Sequence, residues 1–222
     1  MINKFISVIG ASFIALIASG TISNAATLDF TANPFIGANG FFAGTSYSIT
    51  TSGGVLTSSQ GQDGNSCVGL ACQNDGLGVN NGGGDDDDDE ISSDGAQSIT
   101  INFGKAIGIS GITFLDLFID DEGTSAPEVA RVTYNGGFMD FSADPGEVRF
   151  DGSSGFLSVT GLYLFTDQLV FTVLNGGLQS RGYGDYALAS ISAVPLPPAL
   201  LMFGAALGGM GFLGRRRKKV SL

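Results

Sequence analysis

From Ser98 to Phe103 the chain reads Ser-Ile-Thr-Ile-Asn-Phe, polar and apolar in strict turn. A period of two is that of an extended strand, whose successive side chains leave on opposite faces. Three apolar groups therefore share one face and three polar groups the other, which describes a half-buried strand. Similar short runs follow at 111–119, 129–134, 138–141, 156–165, 169–174 and 186–191. Turn residues separate many of them: Asn135-Gly136-Gly137, Asp144-Pro145-Gly146, Asp151-Gly152 and Asn175-Gly176-Gly177, where asparagine, aspartate and glycine accept the positive φ that tight hairpins need. No amphipathic run of helical period reaches ten residues between the two ends. The expectation is an all-β fold, a single antiparallel β-sandwich with jelly-roll-like connections. The Asn-Gly-Gly turns recur without matching strands around them, which argues against a repeat architecture.

The amino-terminal part of this domain is looser. From 27 to 59 short aromatic pieces stand among Gly, Ser and Thr, as in short strands joined by turns. The stretch 60–97 is glycine-rich and holds six carboxylates in a row, Asp85, Asp86, Asp87, Asp88, Asp89 and Glu90. Such a run resists packing, so 60–97 is expected to be an exposed acidic loop. Adjacent carboxylates repel, and a hard cation bridging their oxygens relieves the repulsion; the loop is a candidate calcium site, although it fits no EF-hand spacing. Cys67 and Cys72 are the only cysteines. In an exported chain they read as a small disulfide-closed loop.

Both ends carry sorting information. Lys4, an apolar run from Phe5 to Ala18, and the small residues before Ser23-Asn24-Ala25 form a secretory signal peptide over 1–25. The exported domain is then 26–192. At the other end, 198–214 are seventeen residues without a charge; as a helix they reach roughly 26 Å, near the lower limit for crossing a bilayer core. Arg215, Arg216, Arg217, Lys218 and Lys219 follow at once and are held on the cytoplasmic side. Val194, Pro195, Leu196 and Pro197 precede the run, and their prolines make a stiff extended stem.

A proline motif, a brief apolar span and a basic end, in that order, resemble the PEP-CTERM sorting signal of Gram-negative bacteria, here over 193–219. Leu196 stands where the commonest form of the motif has an acidic residue. The resemblance extends to Asp75-Gly76-Leu77-Gly78-Val79 leading to Glu90-Ile91, to Gly111-Ile112-Thr113-Phe114, and to Asp185-Tyr186-Ala187-Leu188-Ala189-Ser190-Ile191 running into the Val-Pro motif. It implies export by the general secretion machinery and a transient stay in the inner membrane, domain periplasmic and tail cytoplasmic. An exosortase, a cysteine transpeptidase, would then cut near the proline motif and deliver the domain to the cell surface or extracellular matrix.

Removing both ends leaves Lys105, Arg131, Arg149 and Arg181 against 21 acidic residues. Such a surface repels nucleic acid. The chain has no histidine, which removes Ser-His-Asp and Cys-His catalysis and the common zinc sets. Asp116, Asp120, Asp121 and Glu122 are the carboxylates a glycosidase would use, but spacing alone pairs none of them, and a solvated acidic turn explains them as well. Tyr163, Tyr183 and Tyr186 are candidates for a sugar-stacking platform. The expected function is a non-catalytic surface or matrix protein, structural or adhesive in exopolysaccharide; the alternative is a calcium-dependent carbohydrate-binding module.

Overall fold

The computed structural model describes residues 26–32, 37–58, 68–82, 90–93, 96–118, 127–142, 155–174 and 184–194. They form ten strands and, among the described residues, no helix: β1 (Ala26–Asp29), β2 (Asn39–Phe42), β3 (Thr45–Ser52), β4 (Val55–Ser58), β5 (Leu77–Asn80), β6 (Ser98–Leu115), β7 (Val129–Tyr134), β8 (Gly137–Ser142), β9 (Leu157–Val173) and β10 (Ala187–Val194). All pairings are antiparallel and join one hydrogen-bonded network, ordered β4-β5-β10-β6-β9-β7-β8, with β1 on β10 and the β2–β3 hairpin on β6.

Two strands are far longer than the sequence pattern suggests. The run expected at 98–103 and the first five residues of that at 111–119 lie on one strand, β6, and nearly all of those at 156–165 and 169–174 on another, β9. The two pair along nearly their whole length, from Phe114↔Leu157 to Ile99↔Phe171. The interruption between the runs is not a reversal of the chain but a bulge. Asn102 pairs with Gln168 and Ile107 with Thr166, so Phe103, Gly104, Lys105 and Ala106 stand opposite Asp167 alone. An excess on one strand bends the ladder locally.

The bend is large. Val129 to Tyr134 pairs with the end of β9, Ala130 opposite Val173, and Phe141 of β8 opposite Ala130. Measured along a straight ribbon, Phe141 would lie about 50 Å from Phe114 at the other end of β6. Their rings are 5.5 Å apart. The β6–β9 ribbon therefore folds back on itself as two arms, with the bulge at the corner. Tyr186 spans the interior: its ring meets Phe114 edge-on at 5.4 Å, and its hydroxyl donates to the Thr172 carbonyl at 3.1 Å. Ile99, Ile101, Leu169 and Phe171 from one arm and Ile109, Ile112, Phe114 and Leu164 from the other belong to one buried cluster.

The stretch 60–97 departs from the expected exposed loop. Within it β5 is buried at Leu77, Gly78 and Val79, and Ile91 has no exposed surface. The Val79 amide donates to the Glu90 carbonyl at 2.8 Å, and Ile91 exchanges backbone bonds with Tyr186. Gly76 enters β5 at φ +118°, where a Cβ would stand 2.4 Å from the Leu188 carbonyl oxygen. Only glycine lets the backbone approach β10 so closely. The low hydrophobic content of the stretch concealed it, because Leu77, Val79 and Ile91 are spread across a run dominated by glycine and aspartate.

Candidate functional site

The corner of the ribbon is built by polar residues. Along β9 the buried positions are Leu162, Leu164 and Thr166, then Leu169 and Phe171, so the alternation slips once and Asp167 and Gln168 are both exposed. Two adjacent side chains on one surface are what a bulge produces. Thr166, with no exposed surface, secures the slip: its hydroxyl donates to the Gln168 carbonyl at 2.7 Å and accepts from the Gln168 amide at 3.1 Å. These bonds replace ladder bonds the bulge removes. The β7–β8 turn reaches the same place. Asn135 and Gly136 both have positive φ, 33° and 80°, as a two-residue hairpin turn requires, and Asn135 Nδ2 donates to the Phe165 carbonyl at 2.9 Å.

Between turn and bulge lies a depression of about 310 Å³, lined by Asn102, Phe103, Thr133, Tyr134, Asn135, Gly136, Asp167 and Gln168. This is the size of the smallest ordinary ligand pockets. Gln168 Nε2 donates to Asn102 Oδ1 at 2.8 Å, which uses one end of each amide. That bond leaves the Asn102 Nδ2 donor and the Gln168 Oε1 acceptor for other partners. A lining with both donors and acceptors suits hydroxyl groups, which give and take hydrogen bonds. Thr133, the Asp167 carboxylate and the half-buried Tyr134 ring complete a surface of polar groups around one aromatic face. The sequence reading placed Asn102 on the polar face of a strand but did not bring the others to it. The signal was there in Thr166-Asp167-Gln168, three polar residues that break the alternation.

The expected sites fare differently. Tyr186 is not part of a stacking platform: it is fully buried, and burial pushes its phenol well above the ordinary range. Tyr163 is 94% exposed on β9, and Tyr183 lies outside the described residues. Asp116, just past β6, is buried with φ 54°, its Cα packed against Gly155; Asp120, Asp121 and Glu122 lie outside the described residues. Of the acidic run, only Glu90 is described, half-buried with its carbonyl engaged by Val79. Cys72 is disulfide-bonded, its amide donating to Thr31 Oγ1 at 2.9 Å. Asp29 anchors the same segment, accepting from the Thr31 amide and hydroxyl and from the Ala71 amide. Cys67, the segment 1–25, Pro195, Leu196, Pro197, the apolar run 198–214 and Arg215 to Lys219 lie outside the described residues. Val194 closes β10, 43% exposed and paired with Gly108. Among the described residues no helix is long and apolar enough to cross a membrane, and no three His, Cys, Asp or Glu residues gather as a metal site.

One acidic pair escaped the sequence reading. Glu128, buried just before β7, accepts from the Phe118 amide at 2.6 Å and, through its other oxygen, from the Asp185 amide at 3.5 Å. Its carboxyl also hydrogen-bonds the buried Asp185 side chain, which needs a proton on one of the two acids. Burial first, then the Asp185 charge, push Glu128 up to about 10. The pair joins the segments after β6, before β7 and before β10; its burial suits a structural tie rather than a glycosidase pair, which must flank a substrate.

Comparison with known protein families, with curated proteins and with solved structures finds no match to this chain.

Proposed function

We propose that the chain is an exported, non-catalytic surface or matrix protein whose β-domain adheres to polysaccharide through the corner pocket. The observation that carries this reading is the paired Asn102 and Gln168 amides beside Asp167, Thr133 and Tyr134: hydroxyl-rich ligands are recognised by planar amide and carboxylate groups next to an aromatic face. Asp167 is the one carboxylate among the described residues of the pocket lining, whereas glycoside hydrolysis uses two, which favours binding over cleavage. The folded-back ribbon is consistent with a β-sandwich, a frame used to display such sites.

Delivery rests on the sequence ends. The signal peptide would send the chain through the general secretion machinery. The Val194-Pro195-Leu196-Pro197 motif, the apolar run and the basic tail would present it to an exosortase at the inner membrane. Calcium bound by Asp85 to Glu90 is the variant of this reading in which adhesion needs a cation.

The test uses protein recovered from the surface fraction of its host. Its intact mass is expected to lack the first ~25 residues and everything past the proline motif. The same material is expected to be retained on neutral polysaccharide, and Asn102→Ala with Gln168→Ala to abolish retention. A mass that still includes the basic tail overturns the sorting part. Retention untouched by the double substitution overturns the pocket, and retention lost on chelation favours the calcium variant.

A further inference from the structure

The pocket opens onto a sheet face whose charge differs sharply from that of the chain as a whole. The chain has 21 acidic residues. Yet on β3, on β7 and β8, and on the ends of β6 and β9 that pair with them (98–103 and 168–173), the charged residues are Arg131 and Asp140 alone. These two cancel. The guanidinium forks onto the carboxylate, Nε to Oδ1 at 2.7 Å and Nη2 to Oδ2 at 2.8 Å.

The outward residues of these strands fall in register across the sheet. Thr50 pairs with Thr100, Thr100 with Val170, Val170 with Thr133, and Thr133 with Phe138. The row is flanked by Ser48↔Asn102↔Gln168, whose last two members belong to the pocket. It crosses five strands, about 19 Å at the ordinary interstrand spacing. It ends on Phe138, 58% exposed, with the Arg131 guanidinium 4.1 Å from its ring centroid. Three of its five positions, Thr50, Thr100 and Thr133, carry hydroxyl groups, and a ring stacked against a cation stands at the far end. Apart from Asp167 in the pocket, this surface has no net charge and offers an ionic polymer no electrostatic attraction.

We infer that this face binds a linear, uncharged polysaccharide laid across the strands, one sugar in the corner pocket and a distant one stacked on Phe138. The inference rests on the polysaccharide reading of the pocket and adds the polymer's charge, direction and length. Asp167 at the pocket end disfavours uronate units by like-charge repulsion, and the Thr50–Phe138 row supplies hydrogen bonds only to a chain that extends beyond the pocket.

The test is calorimetric titration of the full chain with two oligosaccharide ladders, neutral glucan and polyuronate, each from the single sugar upward. Affinity for the neutral ladder is expected to rise roughly tenfold, about 1.4 kcal/mol, between the single sugar and the length that reaches Phe138. Phe138→Ala, on an exposed edge position, is expected to remove that gain and leave single-sugar binding unchanged. Equal affinity for short and long glucans overturns the extended mode while leaving the pocket reading intact. A uronate ladder bound as tightly as the neutral one overturns the inferred preference for an uncharged chain. If neither ladder binds, the polysaccharide reading falls, and this inference with it.

Discussion

One strand, β6, serves two different environments. Its first arm, 98–103, alternates: Ile99, Ile101 and Phe103 are buried while Ser98, Thr100 and Asn102 are half-exposed. Its last part, 111–115, is buried at every position. The neighbours explain the difference. The second arm lies beside β10, itself buried from Ala187 to Ile191, and its far side is covered by a small cluster in which Leu70 and Phe156 pack on Leu115, Ala187 and Ala189. Among the described residues no such layer covers the far side of the first arm. A strand sealed on both faces reads as a continuous apolar run, whereas one with a solvent face keeps its alternation.

The largest effect should come from the sealed arm. Phe114 is fully buried and touches both Phe141 and Tyr186. Phe114→Ala removes the ring through which the two arms meet and is expected to cost ~3–5 kcal/mol in denaturant unfolding. Thr100→Ala, on the bare face of the same strand, is expected to change stability by no more than ~0.5 kcal/mol. Comparable losses at the two positions would mean that the faces are not distinct and that something covers the bare arm as well.

This contrast also governs what could be read from the sequence. The alternation at Ser98–Phe103 and at 129–134 directly indicated half-buried strands, and the Asn135-Gly136 hairpin turn followed from residue chemistry alone. The continuity of β6 and β9 did not. Gly104-Lys105 and Asp167-Gln168 break the apolar pattern as a turn would, and only the pairing of both flanks with the same partner strand distinguishes a bulge from a reversal. The candidate pocket depends on that distinction: Asn102 and Gln168 are 66 residues apart and become neighbours only because β6 and β9 stay paired through the corner. Tyr186 failed as a surface candidate for a related reason. The strand that follows it, β10, is covered on both faces, which depends on segments as remote as Leu70. Glu128 and Asp185 gave no signal, since a buried acid pair is defined by surroundings that lie far away in the chain.

The corner itself should yield a smaller but separable effect. Thr166→Val keeps shape and burial but removes the hydroxyl that bonds the Gln168 amide and carbonyl. Leaving those groups without their partner is expected to cost about 1–2 kcal/mol. Saccharide affinity is expected to fall as well, because Asp167 and Gln168 lose the kink that presents them together. If stability drops while affinity holds, the bulge shapes the fold but not the site.

The smallest effect at acid pH concerns the tie between the arms. Glu128 holds the Phe118 amide after the sealed arm and stands at the entrance to β7 on the bare one, against Asp185 before β10. Its carboxyl is raised from an ordinary 4.5 to about 10 by burial and by the Asp185 charge. The folded state therefore binds this proton more tightly than the unfolded chain does. Stability from the protonated tie is fully present below pH 4.5 and drains away as pH rises toward 10. Glu128→Gln preserves an oxygen acceptor for Phe118 and an N–H donor toward Asp185, yet cannot ionise. Carboxylates other than its neighbour Asp185 titrate alike in both proteins, so the informative quantity is the stability difference between them. That difference is expected to be small and flat below pH 4.5 and to move in favour of the variant as pH rises above it, read from urea midpoints at fixed ionic strength. A difference independent of pH would mean that Glu128 ionises in the fold as readily as in the unfolded chain. The tie would then be a carboxylate held by the Phe118 and Asp185 amides, charge-assisted bonds that need no proton on the acid.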